Sequence, residues 1–168
     1  MRFYFLLTGI IVLASCSRKT DQELYREGQA AEGRQDFQAA VQSYEEVVGK
    51  YPQGTYADSA QFLIGKIYNN DLRDIEKAAS AYEKVYTSFP QSQFAPTAMF
   101  LTGFLLNNDL HKFDSAKLVY QMFLEKYPNH ELATSAKFEL ENLGKDPTEF
   151  VRGSLSADTS KQKKSAKR

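Results

Sequence analysis

The sequence has little of the chemistry that most enzymes and metalloproteins use. It contains one cysteine, Cys16, two histidines, His111 and His130, and no tryptophan. A single cysteine excludes an internal disulfide framework and a cysteine-rich zinc site. There is also no glycine-rich phosphate loop and no zinc-ligand spacing, and the carboxylates are scattered over predicted outer faces. We therefore expect no catalytic residue, no metal site and no cofactor other than a covalent lipid.

The charges are balanced in number but not in position. Lys and Arg together number 21, as do Asp and Glu, so the formal net charge is zero. Residues 1–20 and 151–168 are basic, whereas residues 21–150 are acidic. Because the part able to fold is acidic, nucleic acid is disfavoured as a partner. The hydrophobic content of 42% in 168 residues is enough for one packed domain or a short repeat array.

The first 15 residues have the pattern of a bacterial lipoprotein signal peptide. Arg2 precedes about ten largely apolar positions, which are followed by small residues. This run is shorter than the roughly 20 residues that a membrane-spanning helix needs. Leu13-Ala14-Ser15-Cys16 resembles the lipobox, in which the signal is cut before a cysteine that then receives acyl chains such as palmitate. The resemblance implies lipidation of Cys16, with residues 16–21 as a tether. The alternatives are an uncleaved anchor and a secreted protein with a chance cysteine.

A shift of 38 residues superposes much of the chain on itself. The superposed residues are Ala40, Ala78 and Ala116; Tyr44, Tyr82 and Tyr120; and Pro52, Pro90 and Pro128. The run Asn69-Asn70-Asp71-Leu72 also recurs unchanged as Asn107-Asn108-Asp109-Leu110. So many coincidences at one offset indicate an internal repeat, which determines the whole fold.

Each repeat unit has the pattern of two helices. Apolar residues recur at helical spacing, and in the third unit this apolar set is Leu118, Val119, Phe123 and Leu124. The Asn-Asn-Asp step ends the first helix of a unit, and a Tyr-Pro or Phe-Pro step ends the second. No stretch alternates as a half-buried strand does. An all-α fold is therefore predicted.

The pattern of small and aromatic residues resembles the tetratricopeptide repeat (TPR) family. The first helix of each unit carries Gly28, Gly65 or Gly103, and the second carries an alanine, an aromatic residue four positions later and then a proline. The resemblance implies antiparallel helical hairpins stacked as a short right-handed solenoid. Its domain spans 22–144, with repeats at about 22–52, 55–90 and 93–128 and a capping helix at 131–144. The inward residues of this cap are expected to be Leu132, Ala136, Phe138, Leu140 and Leu143, with Glu139 among the outward ones.

The junction Tyr-Pro-x-x-x-x-Ala-x-x-Ala-x-Phe behind a lipobox is similar to the envelope branch of this family. That branch includes BamD, a lipoprotein of the outer-membrane β-barrel assembly machinery, and the Tol-Pal-associated YbgF/CpoB proteins. The resemblance implies a lipid-anchored scaffold for protein–protein interactions at the periplasmic face of the outer membrane, in the BamD reading during β-barrel assembly. The alternative is a YbgF/CpoB-like coordinator of Tol-Pal and cell-wall synthesis, and an enzyme is the least favoured of the three.

The resemblance also implies a concave groove, lined by the first helices, that holds an extended peptide or another protein's helix. The candidate groove residues are Tyr25, Phe62, Lys66, Asn69, Phe100, Phe104 and Asn107. Lys66 and Phe104 depart from the repeat consensus, which favours them as functional residues. Phe62 and Phe100 recur in the repeat together with Phe138, so packing between repeats is the alternative for them. Asn70 and Asn108 have helix capping as their alternative, because asparagine tolerates a left-handed backbone where a helix ends.

The chain beyond the cap has a different composition. Residues 145–168 contain few apolar side chains and many Ser, Lys and Ala residues, which is typical of a disordered basic tail. Its lysines could meet anionic lipid at up to about 1 kcal/mol each, or an acidic partner. The alternative is a tail that only keeps the protein soluble.

Overall fold

The computed structural model describes residues 18–145 of the chain, and within this range all regular secondary structure is helical. The seven helices are α1 (Asp21–Gly33), α2 (Phe37–Lys50), α3 (Ala57–Asn70), α4 (Ile75–Ser88), α5 (Ala95–Asn108), α6 (Phe113–Lys126) and α7 (Ala133–Glu141). The predicted fold class, an all-α stack of helical hairpins, is confirmed. The predicted signal peptide, Cys16 and nearly all of the predicted tail lie outside the described residues.

Each helix packs mainly on the helices next to it in the sequence. The hairpins are α1 with α2, α3 with α4, and α5 with α6, and α7 packs on α6. One apolar cluster joins the first hairpin to α3, and a second joins α4, α5 and α6. Tyr68 contacts both clusters, so the core runs along the array without a break. This arrangement is typical of repeat proteins, in which each unit contacts only its neighbours.

Polar side chains fix where several helices begin. The Thr20 hydroxyl accepts a hydrogen bond from the Glu23 amide at 3.2 Å, and the Glu23 carboxylate accepts one from the Thr20 amide at 2.8 Å. This capping box lowers the pKa of Glu23, because both hydrogen bonds to the carboxylate favour its charged form. Asp36 and Asp74 cap α2 and α4 in the same way, whereas Lys112 makes no such bond at the start of α6.

The chain turns between the two helices of each hairpin through a residue with a left-handed backbone. These residues are Gln35, Arg73 and His111, with φ angles of 61°, 56° and 52°. The sequence analysis offered Asn70 and Asn108 for this conformation, but they are the last residues of their helices, and the positive φ falls three residues later. Asn108 does act at the helix end, where its side-chain amide donates to the Phe104 carbonyl at 3.1 Å.

A glycine of the first helix lies directly against a tyrosine ring of the second helix in every hairpin. The pairs are Gly28 with Tyr44, Gly65 with Tyr82, and Gly103 with Tyr120. A Cβ atom added to these glycines would lie 2.5, 2.6 and 2.8 Å from the nearest ring carbon. No side chain fits at such a distance, so this contact sets how closely the two helices approach. Burial raises the pKa of Tyr82 to about 12, because the ionised phenol would lose its hydration.

Two apolar side chains that were expected inside the array are exposed. Leu118 is 62% exposed because it lies on the side of α6 that borders an open cleft, while Val119 and Phe123 fill the interior. Phe138 is 55% exposed, although its equivalents Phe62 and Phe100 are half-buried. Those two rings contact a tyrosine of their own second helix, and no second helix follows α7 among the described residues.

The tyrosines at the hairpin centres differ in how their hydroxyl groups are bonded. The Tyr44 hydroxyl donates to the Glu32 carboxylate at 2.6 Å. Burial and this carboxylate raise the pKa of Tyr44, in that order of size. The Tyr120 hydroxyl is buried with no hydrogen-bond partner among the described residues. An unpaired buried hydroxyl group is destabilising, so the same residue type makes opposite contributions in the two hairpins.

We expect Gly65→Ala to lower the free energy of unfolding by about 1–3 kcal/mol, because the new methyl group would overlap the Tyr82 ring. Chemical denaturation followed by circular dichroism measures this change. Gly49→Ala is the matched control, since nothing lies within 4 Å of its added Cβ. That variant should be neutral or more stable by up to about 1 kcal/mol, from helix propensity alone. Equal effects at the two positions would contradict the proposed role of the Gly65 contact.

Removing the two hydroxyl groups should change stability in opposite directions. Tyr44→Phe loses a hydrogen bond to a carboxylate and should cost about 1.5–3 kcal/mol. Tyr120→Phe removes an unpaired hydroxyl and should be neutral or stabilising. The two variants have the same change of shape, so each is the control for the other in thermal and chemical unfolding. A larger loss for Tyr120→Phe would show that its hydroxyl has a partner.

Candidate protein-binding groove

The candidate residues lie on the first helices of the three hairpins, and we call this surface the first-helix face. α1 carries Tyr25, α3 carries Phe62, Lys66 and Asn69, and α5 carries Phe100, Phe104 and Asn107. The 38-residue repeat brings equivalent positions of successive first helices side by side, because each hairpin stacks on the one before it. The structure therefore groups the candidates in a row, but their side chains have different environments.

Most of the aromatic rings on this face pack between successive hairpins. Tyr25 stacks on Tyr56 with 4.8 Å between ring centroids and contacts Tyr44 at 5.4 Å. Tyr56 precedes α3, so this stack joins the first hairpin to the second. Such contacts add about 0.5–1.5 kcal/mol to the burial of the rings. The Tyr25 ring therefore has a structural role whether or not it also touches a partner.

The next two hairpins repeat this arrangement with one difference. Phe62 stacks on Phe94 at 5.0 Å and contacts Tyr82 at 5.4 Å. Phe100 contacts Tyr120 at 6.0 Å, and on its other side lies Phe104 at 6.5 Å. Phe104 is 38% exposed, so it is the aromatic residue of this group that offers the most accessible ring surface to a partner.

Lys66 is held by an ion pair that crosses from the second hairpin to the first. Its ammonium nitrogen lies 3.0 Å from one carboxylate oxygen of Glu32, and the other oxygen accepts the Tyr44 hydroxyl hydrogen bond at 2.6 Å. The three side chains come from α3, α1 and α2. Lys66 is part-exposed, so the pair is worth at most about 1 kcal/mol. The sequence reading placed Glu32 in the groove but did not predict this pairing.

Asn107 connects the third hairpin to the cap. Its side-chain amide donates to the Glu139 carboxylate at 3.2 Å, and its side-chain oxygen accepts from the Gly144 amide at 3.2 Å. Asn107 is buried and Glu139, which was expected to point outward, is half-buried. Asn69, the equivalent residue of the second hairpin, donates to Asn70 at 2.9 Å and remains part-exposed. Identical residues of the repeat thus have different surroundings.

The largest cavity among the described residues lies on a different surface, between the second helices. A cleft of about 980 Å³ separates α4 from α6 and has α5 as its floor. The sequence analysis did not identify it, because Leu118 was assigned to the interior. A comparison of α6 with α4 at the 38-residue offset would have found it, since Leu118 and Met122 replace Ser80 and Lys84.

The described residues offer no obvious metal or membrane-spanning element. Within residues 18–145, no group of three or more His, Cys, Asp or Glu side chains is arranged to hold a metal ion. In the same range, no helix combines the length and apolar character required to cross a bilayer.

A comparison with protein families gives one match, to the family described as YfiO, outer membrane lipoprotein, over residues 17–146. No curated protein matches the chain. The predicted lipoprotein of the outer membrane agrees with the family description, whereas the YbgF/CpoB alternative stays a prediction. The match covers all seven helices, from α1 to α7, and most of the sequence. The chain therefore belongs to the YfiO family of outer membrane lipoproteins.

Proposed function

We propose that this protein is a lipid-anchored, non-enzymatic scaffold that binds other envelope proteins at the periplasmic face of the outer membrane, and that it acts as BamD does in β-barrel assembly. The observation that carries the proposal is the match to an outer membrane lipoprotein family over residues 17–146. In this proposal residues 1–15 are the removed signal, 16–21 the tether, 22–144 the binding domain and 145–168 a basic tail.

The anchor is proposed at Cys16. The family match starts at the next residue, so the lipobox cysteine directly precedes the part of the chain that the family shares. Each buried CH₂ group of an acyl chain contributes about 0.8 kcal/mol, and two or three chains give an anchor on the order of tens of kcal/mol. Such an anchor does not require help from the basic tail. The tail is then free to contact anionic lipid or an acidic partner, or only to aid solubility.

The proposed binding surface is the first-helix face, with Phe104 and Lys66 as its main contact residues. The exposed part of the Phe104 ring provides apolar area, and aromatic residues often dominate binding energy at interfaces. An extended segment of a partner would cross α3 and α5, where part-exposed Asn69 offers both a donor and an acceptor to a peptide backbone. Tyr25, Phe62 and Phe100 would mainly support this surface through their stacking.

The ion pair between Lys66 and Glu32 favours a partner that carries an acidic group. A carboxylate of the partner would replace Glu32 beside the lysine, or would share the lysine with it. The exchange costs little, because a part-exposed ion pair contributes at most about 1 kcal/mol. Glu32 keeps its hydrogen bond from Tyr44 in either case, so the groove does not lose its shape when the partner binds.

The first test concerns the anchor. Mass spectrometry of the protein from membranes should find a mature chain that begins at Cys16 and carries two or three acyl chains. Cys16→Ser should abolish this processing, whereas Ser17→Ala should be processed normally. Deleting residues 153–168, or raising the salt concentration, should leave the protein in the membrane fraction because the lipid provides the anchoring. An intact Met1 or an unmodified Cys16 in the mature chain would contradict the proposal.

The second test concerns the groove. Lys66→Ala and Phe104→Ser should each reduce the recovery of crosslinked partners from membranes about tenfold, as expected for contact residues worth more than about 1 kcal/mol. Both side chains are part-exposed, so the variants should keep their helical circular dichroism signal. Lys117→Ala removes an exposed lysine from α6 and is the matched control, which should retain full recovery.

The identity of the recovered proteins distinguishes the candidate functions. Components of the β-barrel assembly machinery should co-purify with the wild-type protein, and their recovery should fall in the two groove variants. Recovery of Tol-Pal components and cell-wall synthases instead would favour the alternative function. Unchanged recovery in both variants, with normal helicity, would show that the first-helix face is not the binding surface.

A further inference from the structure

The cleft between α4 and α6 lies on a different surface from the first-helix face and has an apolar interior. Side chains from α5 form its floor, and the walls come from the two second helices. The apolar lining residues are Ala79, Tyr86, Met99, Leu106, Leu110, Leu118, Val119 and Met122. Each wall is a helix of 14 residues, which corresponds to a length of about 21 Å. The cleft therefore has the length of about four helical turns.

The apolar wall on α6 is specific to the third hairpin. Leu118 and Met122 are 62% and 45% exposed. At the same positions of the repeat, α4 has Ser80 and Lys84 and α2 has Gln42 and Glu46. The corresponding cleft between α2 and α4 is about half as large, at about 510 Å³, and Lys84 lies in its wall. Packing of the repeat therefore does not require apolar side chains here.

These exposed residues are not a result of the array's ending after α7. Leu118 and Met122 line the cleft together with residues of α4, so they point back along the array toward the second hairpin. An additional repeat after α7 would pack on the opposite side of α6. Two exposed apolar residues that line a cavity of this size are typical of an interaction site.

The charges at the rim of the cleft indicate the character of the partner. Glu76 and Glu83 lie two helical turns apart along α4, and Glu125 lies on α6 near the end of the cleft. Neither glutamate of α4 forms an ion pair with any residue in the range 18–145. The other rim, on α6, carries Lys112 and Lys126. The rim along α4 is therefore acidic, and its charges are available to a basic partner.

We infer that the cleft between α4 and α6 binds an amphipathic helix of another protein, with its apolar stripe on Leu118 and Met122 and with Lys or Arg residues along the flank that faces Glu76 and Glu83. Helices recognised in grooves present apolar anchors at positions i, i+3 or i+4 and i+7, which matches a cleft of this length. This site is separate from the first-helix face, so the scaffold can hold two partners at once.

Photo-crosslinking in the membrane tests the inference directly. A benzoyl-phenylalanine residue at position 118 or 122 of the full-length protein should form adducts with one defined segment of another protein. Tandem mass spectrometry should show that this segment has the sequence of an amphipathic helix with a basic flank. The same probe at position 42 of α2, which is equivalent to 118, should form no such adduct. The double variant Glu76→Lys with Glu83→Lys should reduce the adduct yield about tenfold, because it reverses the rim charge.

A binding measurement checks the chemistry independently of the natural partner. The probe is a synthetic Leu/Lys amphipathic helix of about five turns, added to the full chain in phosphatidylcholine nanodiscs. A peptide with Glu in place of Lys should bind about tenfold more weakly by fluorescence anisotropy, with empty nanodiscs as the blank. Leu118→Lys should weaken the Leu/Lys peptide about tenfold, whereas Gln42→Lys at the equivalent position should leave it within about twofold.

Several outcomes would overturn the inference. Adducts from positions 118 and 122 only with lipid, with residues 146–168 of the same chain or with a second copy would each assign the cleft to a different occupant. The absence of adducts, or equal binding of the Lys and Glu peptides, would also contradict it. Variants on the first-helix face should not affect either measurement, so a failure here is distinguishable from a failure of the proposed function.

Discussion

The contact between a glycine of one helix and a tyrosine ring of the next determines how this protein is built. It occurs three times, at Gly28, Gly65 and Gly103, and each time it leaves no room for a side chain on the first helix. Because the helices of a hairpin approach so closely, the tyrosine ring is buried within the hairpin and its outer edge is available to a ring of the first helix, as Phe62 is to Tyr82. That ring then stacks on the start of the following hairpin. One close contact thus organises both the hairpin and the array.

A stack built in this way has two kinds of surface, and in this chain they differ in chemistry. The first-helix face has aromatic rings that are largely used for packing, together with a part-exposed lysine and Phe104. The surface between the second helices has an apolar cleft at the third hairpin with an acidic rim. An outer membrane lipoprotein with these two surfaces can bring two proteins together beside the bilayer. The third hairpin contributes to both surfaces, through Phe104 on one and Leu118 on the other.

The sequence predicted the fold well because the residues that fix it are repeated. Tyr44, Tyr82 and Tyr120 recur at a constant offset, so coincidence is excluded by repetition alone, and the helix bounds follow from Asp36, Asp74 and the Tyr-Pro or Phe-Pro steps. The environment of single side chains was harder to predict. Asn69 and Asn107 are identical in the repeat, but only Asn107 meets the cap, and the pairing of Lys66 with Glu32 depends on distances between hairpins. Leu118 was assigned to the interior because helical spacing identifies apolar faces and does not show which of them a neighbour covers.

The central claim is that this solenoid binds one protein on its first-helix face and another in the cleft between α4 and α6. A cryo-electron microscopy structure of the complex purified from membranes tests it most directly. The account predicts a segment of one partner across α3 and α5 near Phe104, and a helix of a second partner lying against Leu118 and Met122. A complex in which both surfaces are bare, with the partners held only by the loops or by the terminal segments, would contradict it.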